Sequence, residues 1–416
     1  MEEYLSTTIS KLKSNDYNEL TIVLGNESCD LDSAVSALVY AAFLHWQYSQ
    51  IKCKACTGKY RDDSYKDDIF IPILDVTRND YPLKTDVVYC LKKHSINEKN
   101  LIFRDDFDFL QLVSKSKVSV VLTDHHFLCP RFDFLSPFVT EIIDHRPVVN
   151  ASFTNIRTTI ELVGSCCSLI THRVRHLAHL MNKDGEFFNT YPVTADMLHS
   201  AGRPNNSRVQ KLHRSILTYS GLPAQVDLSS RPYRVIILDT VNFSKDVNKG
   251  TPSDEDAVTY LERLMRIDDY HKERCSKLLS LLSARSDVSS LSSSQLLRKD
   301  LKILGDVLVP SFPILVKEFL QRPDSISSVV EALKTNQCTV AVLLGMDLKN
   351  ELQRDGAVIG LTRDKTTQLF QYLSSFSPSL GLVSGSMSDG VYFTQSNLAA
   401  TRKQYMTILA NYIGNK

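Results

Sequence analysis

The N-terminal part of the chain is a series of short apolar runs closed by polar turns. Leu20–Leu24, Ile69–Leu74, Leu101–Phe103, Val118–Leu122 and Val139–Ile143 are rich in β-branched residues. Such runs predict buried strands of a parallel sheet, and Val87–Leu91 reads the same way. Between them, residues 1–19 predict a surface helix, Ala34–Trp46 an Ala/Val/Leu-rich helix and Phe107–Ser114 a short one, while residues 51–68 are polar and read as a loop. Strand, polar loop and helix in alternation define an α/β fold.

Further along, Ser152–Ile160 is polar and β-like, and a helix runs from Gly164-Ser165 to about Met181. A Gly-Ser start is an ordinary N-cap, and such an end can also bind a phosphate oxygen. His172, His176 and His179 on this basic helix read as a solvated face. Gly, Pro and Asn recur through residues 182–231, which read as a partly mobile insertion with one helix at Ser207–Tyr219. Tyr233–Leu238 fits a strand or a helix, and Asp254–Arg266 and Asp268–Arg285 are helical. The Ser-rich stretch Ser286–Gln295 marks a flexible boundary. Beyond it come strands around Val307 and Phe312, at Thr339–Gly345 and Ala357–Thr362, with helices near Ile326–Thr335 and from Leu398.

Composition narrows the function little. A chain of 416 residues suggests two or three domains, and 43% hydrophobic with 23% charged residues is ordinary for a globular protein. A formal charge of +1 gives no reason to expect nucleic acid or an anionic membrane as partner. No run is long enough to span a bilayer, and the polar start MEEYLSTTISKLKSND is not expected to be a secretory signal. Nine irregularly placed cysteines favour reduced thiols and a cytoplasmic location. Cys53-x-x-Cys56 lacks a second pair and reads as incidental.

The chemistry lies at the ends of the apolar runs. Val118–Leu122 leads to Asp124-His125-His126, and Val139–Ile143 ends in Asp144-His145-Arg146. In open α/β sheets ligands gather outside the carboxyl ends of the strands. Two Asp-His pairs on one rim are hard to explain by core packing, since buried acids and imidazoles need partners. Asp30 and Asp32 straddle the first turn after the first strand, where acids also cap a helix, and Asp239 closes another apolar run. Asp30, Asp32, Asp124, His145 and Asp239 together suit Mg²⁺ or Mn²⁺, and two ions about 3.5–4 Å apart are expected, bridged by Asp124. Arg146, Lys302, Arg402 and Lys403 would clamp phosphate oxygens.

These motifs resemble the DHH phosphoesterase superfamily, in the branch with a DHHA2 second domain, and within it the prune, exopolyphosphatase and family II inorganic pyrophosphatase group. The resemblance is carried by GNESCDLDS (Gly25–Ser33), TDHH (Thr123–His126), DHRP (Asp144–Pro147), ELVGSC (Glu161–Cys166), LDTVN (Leu238–Asn242) and LLRKDLK (Leu296–Lys302), and covers nearly the whole chain. It implies a DHH domain over 1–266, a smaller α/β DHHA2 domain over 267–416, and an active site in the cleft between them. Asp30 would serve a first ion, Asp32, His145 and Asp239 a second, with Asp124 bridging. Asn26 stands where the pyrophosphatases carry a His ligand, so a weaker, neutral donor serves the first ion. Arg146 replaces the second His of the signature and keeps phosphate binding while removing a proton donor, a role His126 would partly restore. Thr401-Arg402-Lys403-Gln404 carries one basic residue fewer than the usual closing motif. The implied activity is metal-dependent release of orthophosphate from short polyphosphate, by a water activated between two Mn²⁺ or Mg²⁺ ions. The resemblance also admits a cyclic nucleotide (cAMP) phosphodiesterase, or a regulatory scaffold that binds nucleoside diphosphate kinase.

Overall fold

The computed structural model describes residues 1–55, 66–148, 153–200, 250–347, 352–376, 379–385 and 387–414. Asp239, Cys56, Tyr233–Leu238 and the expected helix at 207–219 lie outside them. One compact unit runs to Ala284 and a second begins at Arg285. The boundary drawn from sequence, 266/267, precedes this by one helix, Tyr270–Ser286.

The first unit is built on six parallel strands: β1 (Glu19–Leu24), β2 (Ile69–Leu74), β3 (Ile102–Phe103), β4 (Lys117–Thr123), β5 (Val139–Asp144) and β6 (Arg157–Ile160). Their order is β3-β2-β1-β4-β5-β6. Side chains alternate along each strand, and both faces are covered. Leu20, Ile22, Leu24, Ile71, Ile73, Val120, Leu122 and Ile142 pack with Leu12 of helix α1 (Glu2–Ser14) and with Phe132 and Leu135. Helix α2 (Leu31–Ala55) packs on β1 and β2, and its Val35, Leu38, Val39 and Tyr40 are buried. Each such aliphatic side chain contributes about 1.5–3 kcal/mol of burial free energy. This two-sided burial is why the strands read as continuous apolar runs.

Three expectations are corrected here. Thr85–Lys93 is helix α3 rather than a strand; Val87, Cys90 and Leu91 are buried at helical spacing, which a short apolar run does not reveal. Helix α2 continues to Ala55, into the stretch taken as a loop. The start of the 182–231 stretch is helical, with Gly185 in the left-handed region before α6 (Glu186–Thr190) and Pro192 opening α7 (Pro192–Ser200). A long helix Pro252–Met265 follows a capping box at Thr251 and Asp254.

The second unit carries a mixed sheet in the order β11-β12-β10-β9-β8-β7. Its strands are β7 (Leu301–Leu304), β8 (Val307–Phe312), β9 (Val340–Asp347), β10 (Gln353–Gly360), β11 (Leu382–Gly385) and β12 (Val391–Gln395). Val307 and Phe312 thus belong to one strand, paired with β7 antiparallel and β9 parallel. Helix Arg402–Gly414 packs Tyr405, Ile408 and Leu409 into the core.

Candidate metal and phosphate site

Strand order reverses between β1 and β4, so the loops that follow these two strands diverge and leave a crevice at their carboxyl ends. A cavity of about 580 Å³ lies there, lined by residues that follow β1 (Asn26, Asp30, Asp32), β2 (Asp75), β4 (Asp124, His125) and β5 (His145, Arg146). The backbone is shaped to deliver them. Cys29 (φ 42°) and Asp124 (φ 63°) are non-glycine residues in the left-handed region, a conformation that Asp tolerates better than most. The Asp124 amide donates to the Ile143 carbonyl (2.9 Å), which fixes the turn against β5. Gly25 passes so close to helix α2 that a Cβ would meet Ser33 Oγ at 2.5 Å. That hydroxyl accepts from the Asn26 amide at 2.7 Å.

Asp32, Asp124 and His145 present ligand atoms that all lie within 4.8 Å of one another. Asp124 is 1% exposed. Its Oδ2 accepts from Asn26 Nδ2 at 2.5 Å, while its Oδ1 accepts no hydrogen bond from the described residues. The cations nearest Oδ1 are His145 Nε2 at 3.1 Å, placed as an ion pair rather than an aligned hydrogen bond, and Arg146 Nη2 at 3.6 Å. Burial, and then the neighbouring Asp32, push the Asp124 carboxyl up to about 8, with Asp30 adding to the effect and His145 opposing it. Burial alone would lower the affinity of His145 for a proton. Asp124 and Asp32 reverse that and raise it to about 10. His145 Nδ1 meets the Val163 carbonyl at 3.0 Å, and a carbonyl only accepts, so Nδ1 carries a proton and Nε2 is the nitrogen that faces the acids. An orphaned buried oxygen, a second carboxylate and an oriented imidazole match the donor set for a divalent cation.

Asp32 is held from behind. Ser165 Oγ donates to its Oδ1 (2.7 Å), and the amides of Cys166 and Cys167, the first of helix α5 (Cys166–Leu180), donate to Oδ2 (2.8 Å) and Oδ1 (2.9 Å). The helix end that sequence left open as a phosphate-binding turn therefore takes a carboxylate of the chain itself. Asp30 does what a capping acid does: its Oδ1 accepts from the Ser33 amide at 3.1 Å, and its Oδ2 lies 2.9 Å from Ser28 Oγ. The oxygen of Asn26 accepts from the Ser28 amide (2.9 Å) and hydroxyl (2.5 Å), so its NH₂ group is what faces Asp124. His126 Nδ1 pairs with Asp144 Oδ2, and Asp144 Oδ1 also accepts the amides of His145 and Arg146.

The cavity also holds Asp75, which the sequence reading passed over, and His125, which it named in the first Asp-His pair but gave no role. Asp75 follows β2 just as Asp124 follows β4, and the apolar run IFIPIL before it was a usable signal. It is 2% exposed, with Arg104 Nη1 at 3.4 Å and Arg131 Nη1 at 3.6 Å. His125 also lines the cavity; its Nδ1 meets the Thr123 carbonyl at 2.9 Å, and burial lowers its affinity for a proton. In the second unit Lys302 and Lys403 are exposed, whereas Arg402 donates to the Asp300 carbonyl (2.7 Å) and carboxylate (2.9 Å).

A parallel sheet with acids and an imidazole converging at its switch point defines an α/β protein with a candidate divalent-cation site. Comparison narrows this. Residues 279–412 match the DHHA2 domain family. Exopolyphosphatase PRUNE1 of Mus musculus is 32% identical over 364 residues, which is 86% of this chain and 66% of the mouse protein. Exopolyphosphatase PRUNE1 of Homo sapiens is 28% identical over 419 residues, 98% of this chain and 78% of the human protein. A Methanococcus jannaschii structure described as a candidate family II inorganic pyrophosphatase aligns over 94% of the chain at 17% identity with a TM-score of 0.43, a likeness too loose to build on. The chain belongs to the DHH phosphoesterase superfamily, in the prune group of its DHHA2 branch. No helix among the described residues is long and apolar enough to cross a membrane.

Proposed function

We propose that the chain is a metal-dependent phosphohydrolase that cleaves phosphoanhydride bonds, releasing orthophosphate from the end of short polyphosphates. The observation that carries this reading is the buried Asp32–Asp124–His145 group with the unsatisfied Asp124 Oδ1 at its centre. Relatives that bear the name exopolyphosphatase support the substrate class.

Asp32, Asp124 and His145 would hold one divalent ion, Mn²⁺ or Mg²⁺. Asp30 and Asp124 would serve a second, with Asn26, whose NH₂ group is the end turned to the site, holding Asp124 rather than binding the ion, and Asp239 completes the assigned ligand set. The ions, when bound, activate a water and neutralise charge on the phosphoryl oxygens. The remaining work falls to the protein. Arg146, 44% exposed and beside Asp124, turns its guanidinium to the terminal phosphate. Lys302, Arg402 and Lys403 contribute cations that bind the polyanion. His126 does not line the cavity, and with its Nδ1 taken by Asp144 it is its other ring nitrogen that would give a proton to the leaving phosphate. Cys29, Cys129, Cys166, Cys167 and Cys338 carry free thiols, as a reducing, cytoplasmic location would leave them.

Orthophosphate release from pyrophosphate, tripolyphosphate and tetrapolyphosphate, and conversion of cAMP to AMP, each with Mn²⁺ or Mg²⁺ and against an Asp124→Ala control, test the reading. Metal-dependent release from the polyphosphates alone, lost in the control, supports it; turnover of cAMP alone replaces it with a phosphodiesterase. A second reading, a regulatory protein of low activity that binds nucleoside diphosphate kinase, is favoured by the Asn26 amide that occupies Asp124 Oδ2. Failure of the purified kinase to bind the Asp124→Ala chain would count against it.

A further inference from the structure

We propose that Ser165 is a positioning residue for the metal centre: its hydroxyl, with the first two amides of α5, fixes the Asp32 carboxylate so that one face stays turned to the ion. This rests on the metal reading given above and concerns a residue to which that reading assigns no part.

The geometry argues for a dedicated support. Three donors converge on Asp32: Ser165 Oγ at 2.7 Å, the Cys166 amide at 2.8 Å and the Cys167 amide at 2.9 Å. Asp32 is 2% exposed and Ser165 0% exposed, so no solvent competes for these bonds. A carboxylate buried this deeply needs such donors to offset the water it has lost. Two oxygens offer about four lone-pair sites, so three donors leave room for a cation on the inner side. There Asp32 Oδ2 stands 3.8 Å from His145 Nε2. Ser165 also has a second duty, because its Oγ accepts from the Cys167 amide at 3.2 Å as the N-cap of α5.

The loop that carries Ser165 is itself anchored. Gly164 donates its amide to Asp254 Oδ2 at 2.9 Å, and Ser168 Oγ donates to Asp254 Oδ1 at 2.5 Å. Asp254 is fully buried and sits in the capping box of helix Pro252–Met265. The same loop supplies the Val163 carbonyl that orients His145. One short segment, Val163–Ser165, thus orients two of the three ligands of the Asp32–Asp124–His145 group.

The test separates the two duties of Ser165. Glycine serves at an N-cap nearly as well as serine but has no hydroxyl, alanine loses both duties and threonine keeps both. Mn²⁺ binding to the purified full-length chain is measured without substrate by calorimetry and by electron paramagnetic resonance, alongside the thermal midpoint of each apo-protein. Expected are a loss of Mn²⁺ affinity on the order of tenfold to a hundredfold in Ser165→Gly and Ser165→Ala, the usual reach of a ligand-supporting residue, and near-unsubstituted affinity in Ser165→Thr. Ser165→Gly should keep its thermal midpoint. Unchanged Mn²⁺ affinity in a folded Ser165→Gly protein would overturn the inference and leave the phosphohydrolase reading standing. An unsubstituted chain that binds no Mn²⁺ would overturn both.

Discussion

Nε2 of His145 stands 3.1 Å from Oδ1 of Asp124, while the other nitrogen of the ring meets the Val163 carbonyl. The two groups therefore take up protons as a coupled pair when no cation is bound. Both members hold protons more tightly folded than unfolded, since Asp124 is raised to about 8 and His145 to about 10. The stability His145 draws from its raised value is complete below about 6.5 and lost as pH climbs towards about 10. Ionising Asp124 acts in the same direction, costing stability as pH rises from the usual carboxylate range to about 8. Melting curves in EDTA should show a midpoint that falls from neutral pH to about 10. Mn²⁺ displaces the proton, so Mn²⁺ affinity should rise across the same window with measurable proton release. A flat apo profile would remove the coupled pair from the account.

Asp124→Asn tests whether the orphaned oxygen is kept for function at a cost in stability. The amide keeps the left-handed backbone and replaces a carboxyl whose ionisation is disfavoured by burial and by Asp32 and Asp30. Phosphate release should fall on the order of a thousandfold, the loss of about 4 kcal/mol of charge stabilisation. The apo-protein should melt no lower than the unsubstituted chain at neutral pH, and Mn²⁺ should no longer raise its midpoint. A large drop in apo stability would point to a structural role instead.

Gly25→Ala should destabilise by about 1–3 kcal/mol, because the added methyl overlaps Ser33 Oγ and forces β1 and α2 apart. Urea titration reads this directly. It should also weaken Mn²⁺ binding, since Asp30 and Asp32 ride on the displaced helix start.

Glu262 sits between His199 and Arg274 in a buried cluster that joins α7 to helices Pro252–Met265 and Tyr270–Ser286; Arg274 is 1% exposed. Glu262→Ala leaves the guanidinium buried without its carboxylate and should cost about 3–5 kcal/mol. Equilibrium unfolding that shows under 1 kcal/mol would mean that Arg274 finds water on relaxation.

The three cations of the second unit should separate. Lys302→Ala and Lys403→Ala change exposed side chains and should leave stability within about 0.5 kcal/mol. Arg402→Ala removes a two-point contact with Asp300 and should lower the thermal midpoint as well. If the cations bind substrate, all three variants raise the KM for tripolyphosphate; if Arg402 alone does so, its effect is structural.

The strand-end acids were legible because a buried parallel strand writes its whole length as one apolar run, so the first polar residue marks the rim. That logic found Asp124 and His145. It passed over Asp75, which follows IFIPIL without a histidine to draw attention. It could not say which way each acid points. Asp30 turns back to cap its own helix and Asp32 turns towards α5, a distinction fixed by Ser165 and the α5 amides, more than a hundred residues away. Helix α3 was lost because Val87–Leu91 is too short for its period to show. Asn26 was read as a weakened ligand, but local hydrogen bonds to Ser28 decide which end of its amide faces the site.

Asp32, Asp124 and His145 reach their shared point from three strands whose pairings are all long-range: β1 lies beside β4, and β4 beside β5. No short peptide cut from the chain contains the group. On the metal reading, a divalent ion would have nothing to grip until those strands have assembled, and its capture would report the completion of the sheet rather than prompt its beginning. A stalled or truncated chain that stops before β5 would be blind to metal, so the ion would act as a late inspector of folding, rewarding only chains in which the central strands have found their neighbours.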